Sequence, residues 1–112
     1  MLFRSRLIEA TGLVAHVEPN LAELSMGEFE GPQFRTLVRE RHPLIVEMDR
    51  AKHWRMIPGA EDPDDFRDRV VRGIERAARR HPGQRVATFV HGFVIAQALA
   101  HAAGSKIGRA HV

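Results

Sequence analysis

The sequence predicts an α/β fold built on a parallel sheet, and three features carry that prediction. A long amphipathic helix over 63–80 is opened by Pro63 and closed by Pro82-Gly83. The run Arg85-Val86-Ala87-Thr88-Phe89-Val90 follows it and is apolar enough to be buried on both faces, as strands of parallel sheets are. A second β-branched run, Leu13-Val14-Ala15-His16-Val17, lies near the start, so helices and strands alternate. Two strands covered by helices make a poor sheet, and the pattern therefore also predicts that neighbouring strands are missing from this chain.

Residues 6–11 read as the end of a helix (Leu7, Ile8, Ala10) that Gly12 terminates in a left-handed cap. The strand at 13–17 runs out at Pro19, and 20–31 is a loop containing Gly27 and Gly31. Pro32 suits a first helical position; Phe34, Leu37, Val38 and Arg41 follow at helical spacing until Pro43 stops the run. A second short helix extends from Leu44 to His53, with Leu44, Ile45 and Met48 on one side, and 54–61 is a loop. Helix 63–80 is the clearest. Asp62 caps it, Asp64 and Asp65 complement its dipole, and Phe66, Val70, Ile74 and Ala77/Ala78 form its apolar stripe. After the strand at 85–90 and His91-Gly92, the residues Val94, Ile95, Ala98, Leu99 and Ala102 trace a last helix to Gly104.

A chain of 112 residues has room for one domain, and 44% hydrophobic with 28% charged residues is the composition of an ordinary globular protein. No apolar run approaches a membrane span, no signal peptide is evident, and the default location is the cytoplasm. There are no cysteines, which excludes disulfides and thiolate ligands. The high isoelectric point invites a nucleic-acid reading, but it comes from the ends. Of the 17 Lys and Arg residues, Arg4, Lys106 and Arg109 lie in the terminal stretches, and the rest balance the 14 acidic ones. Arginines alternate with Asp and Glu rather than clustering on one face, so neither nucleic acid nor membrane is expected as a partner. Residues 1–5 and 106–112 resemble translated adapter DNA and are expected to be non-native ends of a partial domain, with 6–104 as its authentic part.

Two positions could do chemistry. His91 stands where a buried strand gives way to a helix, the place where open parallel sheets put their ligands. Gly92 admits close backbone approach, and the amides of Phe93 and Val94 would face an anion from a helix N-terminus. An imidazole there can hydrogen-bond a phosphoryl oxygen; it can equally be a capping or core histidine. Glu23 lies in Leu21-Ala22-Glu23-Leu24-Ser25-Met26-Gly27-Glu28-Phe29-Glu30-Gly31, where a carboxyl group in a cleft could act as general acid or base. Nothing local separates it from Glu28 or Glu30.

Together these segments resemble the histidine-phosphatase superfamily, which includes the phosphoglycerate mutases. Leu21 to Gly31 match its Leu-x-Glu-x-x-x-Gly-x-Trp-Glu-Gly motif with Phe29 in the Trp place. Pro58-Gly59-Ala60-Glu61-Asp62 is similar to its Pro-Gly-Gly-Glu-Ser loop, and Val90-His91-Gly92-Phe93-Val94-Ile95 to its Ser-His-Gly-Gly-Val-Ile. The resemblance covers residues 6–104. It implies a three-layer αβα, phosphoglycerate mutase-like fold whose first strand is missing here. It further implies that His91, with the Gly92 and Phe93 backbone, binds the phosphoryl group, and that Glu23 exchanges a proton with the substrate oxygen. Glu30 and Gly31 would be structural, and Glu61 and Asp62 would lie on a substrate-entrance loop. Val90, Asp62, Phe93 and Ala96 depart from the family pattern, the last replacing a frequent Arg.

The resemblance also implies a nucleophilic histidine in an Arg-His-Gly motif, and none occurs in this chain. His42 and His81 are followed by proline and read as surface residues; Arg6 falls near a second phosphate-binding arginine. The expected protein is thus a fragment of a phosphohistidine-dependent phosphatase or mutase for small phosphorylated substrates, inactive by itself and needing no cofactor. Metal is not expected, since His16, His42, His53, His81, His91 and His101 include no His-x-x-x-His pair. The competing reading is a non-enzymatic module that binds a partner through helices 32–42 and 63–80. A cleft shared by Glu23 and His91, which Trp54 would line if it does not simply anchor its loop, separates the two.

Overall fold

The longest helix forms where its end signals demand. The Asp62 carboxylate accepts hydrogen bonds from the amides of Asp64 and Asp65 (2.9 and 3.3 Å), and Pro63 occupies the first turn, where no N–H is needed. In the computed structural model, which describes residues 2–104, this is helix α4 (Pro63–Arg80). It is accompanied by α1 (Leu2–Thr11), α2 (Gln33–Arg39), α3 (Pro43–Ala51) and α5 (Gly92–Ala102), and by 3₁₀ turns at Pro19–Leu21 and Gly27–Phe29. The α1 helix ends as its glycine requires: Gly12 has φ +71° and donates to the Ile8 carbonyl at 2.8 Å. The terminal stretch 106–112 lies outside the described residues.

The predicted α/β fold is not what forms. Among the described residues there is no β-strand, so the parallel sheet and the three-layer αβα arrangement are absent. Segments 13–17 and 85–90 were expected to be strands. Neither makes a backbone hydrogen bond to another segment among the described residues. The physical reason is that β-branched composition records fitness for a pleated, half-buried surface, not the presence of a partner. A strand's N–H and C=O groups must be met by a neighbouring strand. Unpaired, both runs face water: Val14 and Val17 are 77% and 80% exposed, and Val86 48%.

The core lies instead between α4 and the segment read as a loop. Leu21, Leu24, Met26 and Phe29 come from 20–31, Ile45 from α3, Trp54 and Ile57 from the following loop, Phe66 and Val70 from α4, and Val94 from α5. Gly73 lets α4 pack closely on this segment, because a Cβ there would meet the Leu21 side chain at 2.8 Å. The Phe66 and Val70 part of the α4 stripe is thus covered, which argues against a free partner-binding face on that helix. Helix α5 fares differently: Val94 and Gln97 are buried, but Ile95 and Leu99 remain 46% and 65% exposed. The radius of gyration, 16.1 Å, exceeds the about 13 Å of a compact domain of this size, consistent with peripheral segments that bury little.

Candidate functional site

Segment 20–31 is shaped by two contacts before any chemistry is considered. Gly27 has φ +58°, and a side chain there would overlap the Pro58 and Gly59 backbone and come within 2.5 Å of the Ala60 nitrogen. The Glu28 amide donates to the Pro58 carbonyl (2.9 Å), and the Glu61 amide to the Ser25 carbonyl (2.8 Å). Two of the three stretches singled out in the sequence, 21–31 and 58–62, are therefore laced together through their backbones. Glu30 closes the turn by accepting from the Met26 amide at 3.1 Å.

The third stretch joins through Glu23. One carboxylate oxygen accepts from its own neighbour, the Leu24 amide (3.0 Å), and the other from the Phe93 amide (3.2 Å), 70 residues away at the start of α5. Glu23 therefore sits on the first turn of the helix that His91 precedes. Nothing distinguished it from Glu28 and Glu30 in the sequence; the fold does, because Glu28 is exposed and Glu30 turns back on its own loop. His91 is the N-cap residue of α5 in extended conformation, its side chain exposed and making no cap hydrogen bond. An added Cβ at Gly92 would meet nothing within 4 Å, so the space above this helix end is open. An N-terminus of this kind concentrates unsatisfied N–H groups and positive potential.

Glu61 and Asp62 are occupied elsewhere. The Arg69 guanidinium grips Glu61 with Nε on one carboxylate oxygen (2.7 Å) and Nη2 on the other (2.9 Å). This pairing is the leading cause that holds the Glu61 carboxyl below its ordinary value of 4.5. Asp62 caps α4 and pairs with Arg55, which also reaches Asp64 at 3.2 Å. Trp54 is 8% exposed. Its indole N–H donates to the Glu61 carbonyl (2.7 Å), and its ring meets Phe66 and Phe93 edge-on at 6.0 and 5.8 Å. It anchors the loop and carries the core up to the base of α5. His42 caps α3 through Nδ1, which accepts from the Leu44 amide (3.1 Å).

Sequence reasoning missed Arg69. The signal was present: residues 66, 69, 70 and 73 share one helix face, and three of them are core. Elsewhere, α4 and α5 enclose an open hollow of about 570 Å³ lined by Arg67, Asp68, Val71, Arg72, Gln97, His101 and Gly104, with neither Glu23 nor His91 on its walls. No group of His, Asp and Glu side chains among the described residues could hold a metal ion, and no described helix is long and apolar enough to cross a membrane.

Comparison with known proteins agrees with the three motifs. The family model described as histidine phosphatase superfamily (branch 1) matches residues 5–111. No curated protein and no solved structure matches the chain.

Proposed function

This chain belongs to the histidine phosphatase superfamily, and we propose that it carries part of the phosphoryl-transfer site of a phosphohistidine-dependent phosphatase or mutase acting on small phosphate monoesters. The observation that supports this most is the Glu23 carboxylate resting on the Phe93 amide, two residues along the chain from His91. A helix end that accepts a carboxylate oxygen offers the same donors to a phosphoryl oxygen. In the reaction, a histidine supplied from outside these 112 residues attacks phosphorus. The His91 imidazole and the α5 N-terminus stabilise the charge on the non-bridging oxygens. Glu23 gives its proton to the departing substrate oxygen, and then takes one from the water that hydrolyses the phosphohistidine. The Glu23 carboxylate and a phosphoryl oxygen compete for the Phe93 amide, so bound substrate would move Glu23 off it.

Because the chain holds no Arg-His-Gly, it is expected to release no p-nitrophenol from p-nitrophenyl phosphate. It is still expected to bind inorganic phosphate weakly, shifting the amide resonances of His91, Gly92 and Phe93. His91→Ala removes one charge-assisted hydrogen bond and should weaken that binding about tenfold. His91-dependent turnover would contradict the inactive assignment, and phosphate that leaves these three resonances unmoved would sink the site.

A further inference from the structure

We propose that Arg69 is the positioning residue for Glu23: its guanidinium gathers the carbonyls of the Glu23 segment and the Glu61 carboxylate into one clamp, which aims the Glu23 carboxylate at the start of α5. This rests on the reading of Glu23 as the proton-exchanging carboxyl.

The hydrogen bonds fill the guanidinium completely. Nη1 donates to the carbonyls of Asn20 (2.7 Å) and Ala22 (2.8 Å), Nη2 to the Glu23 carbonyl (3.2 Å) and to Glu61, and Nε to Glu61. An arginine has five N–H donors, and here each has an acceptor. The side chains of Arg69 and Glu61 are only 17% and 18% exposed, and the Arg69 guanidinium lies 5.0 Å over the Phe66 ring. The carbonyls of Asn20, Ala22 and Glu23 accept no backbone hydrogen bond among those joining turns and loops. With Leu21 and Leu24 buried on either side, it is the arginine that meets these three carbonyls. With its carbonyl held on one side, the Glu23 side chain leaves toward α5, where it meets Phe93. Because the same guanidinium holds Glu61, the loop 58–62 and the Glu23 segment are expected to shift together. Lysine cannot substitute: a point charge with three donors cannot reach five acceptors in a planar fork.

The test uses the full ¹⁵N-labelled chain and the pH titration of the Phe93 amide, which reports ionisation of the carboxylate it donates to. Glu23→Gln should abolish that titration. Arg69→Gln should reduce its amplitude at least about threefold while the core resonances of Val70 and Trp54 stay in place, with Arg69→Lys intermediate. If Arg69→Gln does not fold, Arg69→Lys decides, since it keeps the charge and the aliphatic stem. A Phe93 titration of wild-type amplitude in the folded Arg69 variant overturns the assignment, as does one that survives Glu23→Gln. A separate phosphate titration of the wild-type chain judges the underlying reading. Phosphate that moves His91 and Phe93, together with Arg69 variants that leave the Phe93 titration intact, would sink only the clamp.

Discussion

Replacing Gly27 by alanine probes the contact that holds two of the motifs together. Gly27 is at φ +58°, where a side chain costs about 1 kcal/mol in backbone strain. Its new methyl group would also overlap the Pro58 and Gly59 backbone and approach the Ala60 nitrogen to 2.5 Å, and backbone on both sides leaves no flexible side chain to give way. The turn at 27–29 and the loop at 58–61 must then separate. The Glu28–Pro58 (2.9 Å) and Glu61–Ser25 (2.8 Å) hydrogen bonds are the first to be lost, at about 1 kcal/mol each. The expected total is about 3 kcal/mol. Gly12→Ala is the control: φ is similar at +71°, but nothing lies within 4 Å, so only the backbone strain of about 1 kcal/mol remains. Urea unfolding followed by Trp54 fluorescence should place the Gly27→Ala midpoint about 1–2 M below that of Gly12→Ala. Equal midpoints for the two variants would refute the close approach of the 27–29 turn to the Pro58-Gly59 loop.

The Glu61–Arg69 pair makes stability depend on acid. Arg69 lowers the Glu61 carboxyl in the folded state, so its contribution is complete above the unfolded value near 4.5 and is lost as pH falls through the lower folded value. Urea midpoints measured from about pH 6 down to about pH 3 should fall in the parent and be flatter in Glu61→Gln. An unchanged slope would mean that the pair does not form. Asp62→Ala deprives the Asp64 and Asp65 amides of their acceptor and should lower stability by about 1 kcal/mol, seen as a thermal midpoint about 4–8 °C lower by far-UV circular dichroism.

How much could be read in advance varied with the range of the interaction involved. Helix α4 was legible to the residue because its signals are local: a cap at 62, a proline at 63, acids in the first turn, and an apolar stripe at helical spacing. The Gly12 terminus was legible for the same reason. The family, too, was legible, since three short motifs in the right order suffice to carry it. The strands were not. Runs 13–17 and 85–90 have the composition of strands, but pairing is a contact with another segment, and none joins them among the described residues.

The site divides along the same line. By itself the sequence determined which residue types stand at 23, 61 and 91, and that His91 would precede a helix. It left Glu23 indistinguishable from Glu28 and Glu30, and it gave no reason to single out Arg69. Only the tertiary structure decided that Glu23 reaches Phe93 across 70 residues, that Arg69 spends all its donors on Glu61 and three carbonyls, and that Trp54 anchors its loop through the Glu61 carbonyl. Propensity and capping act over a few residues along the chain, whereas a guanidinium finds its acceptors only after distant segments have packed.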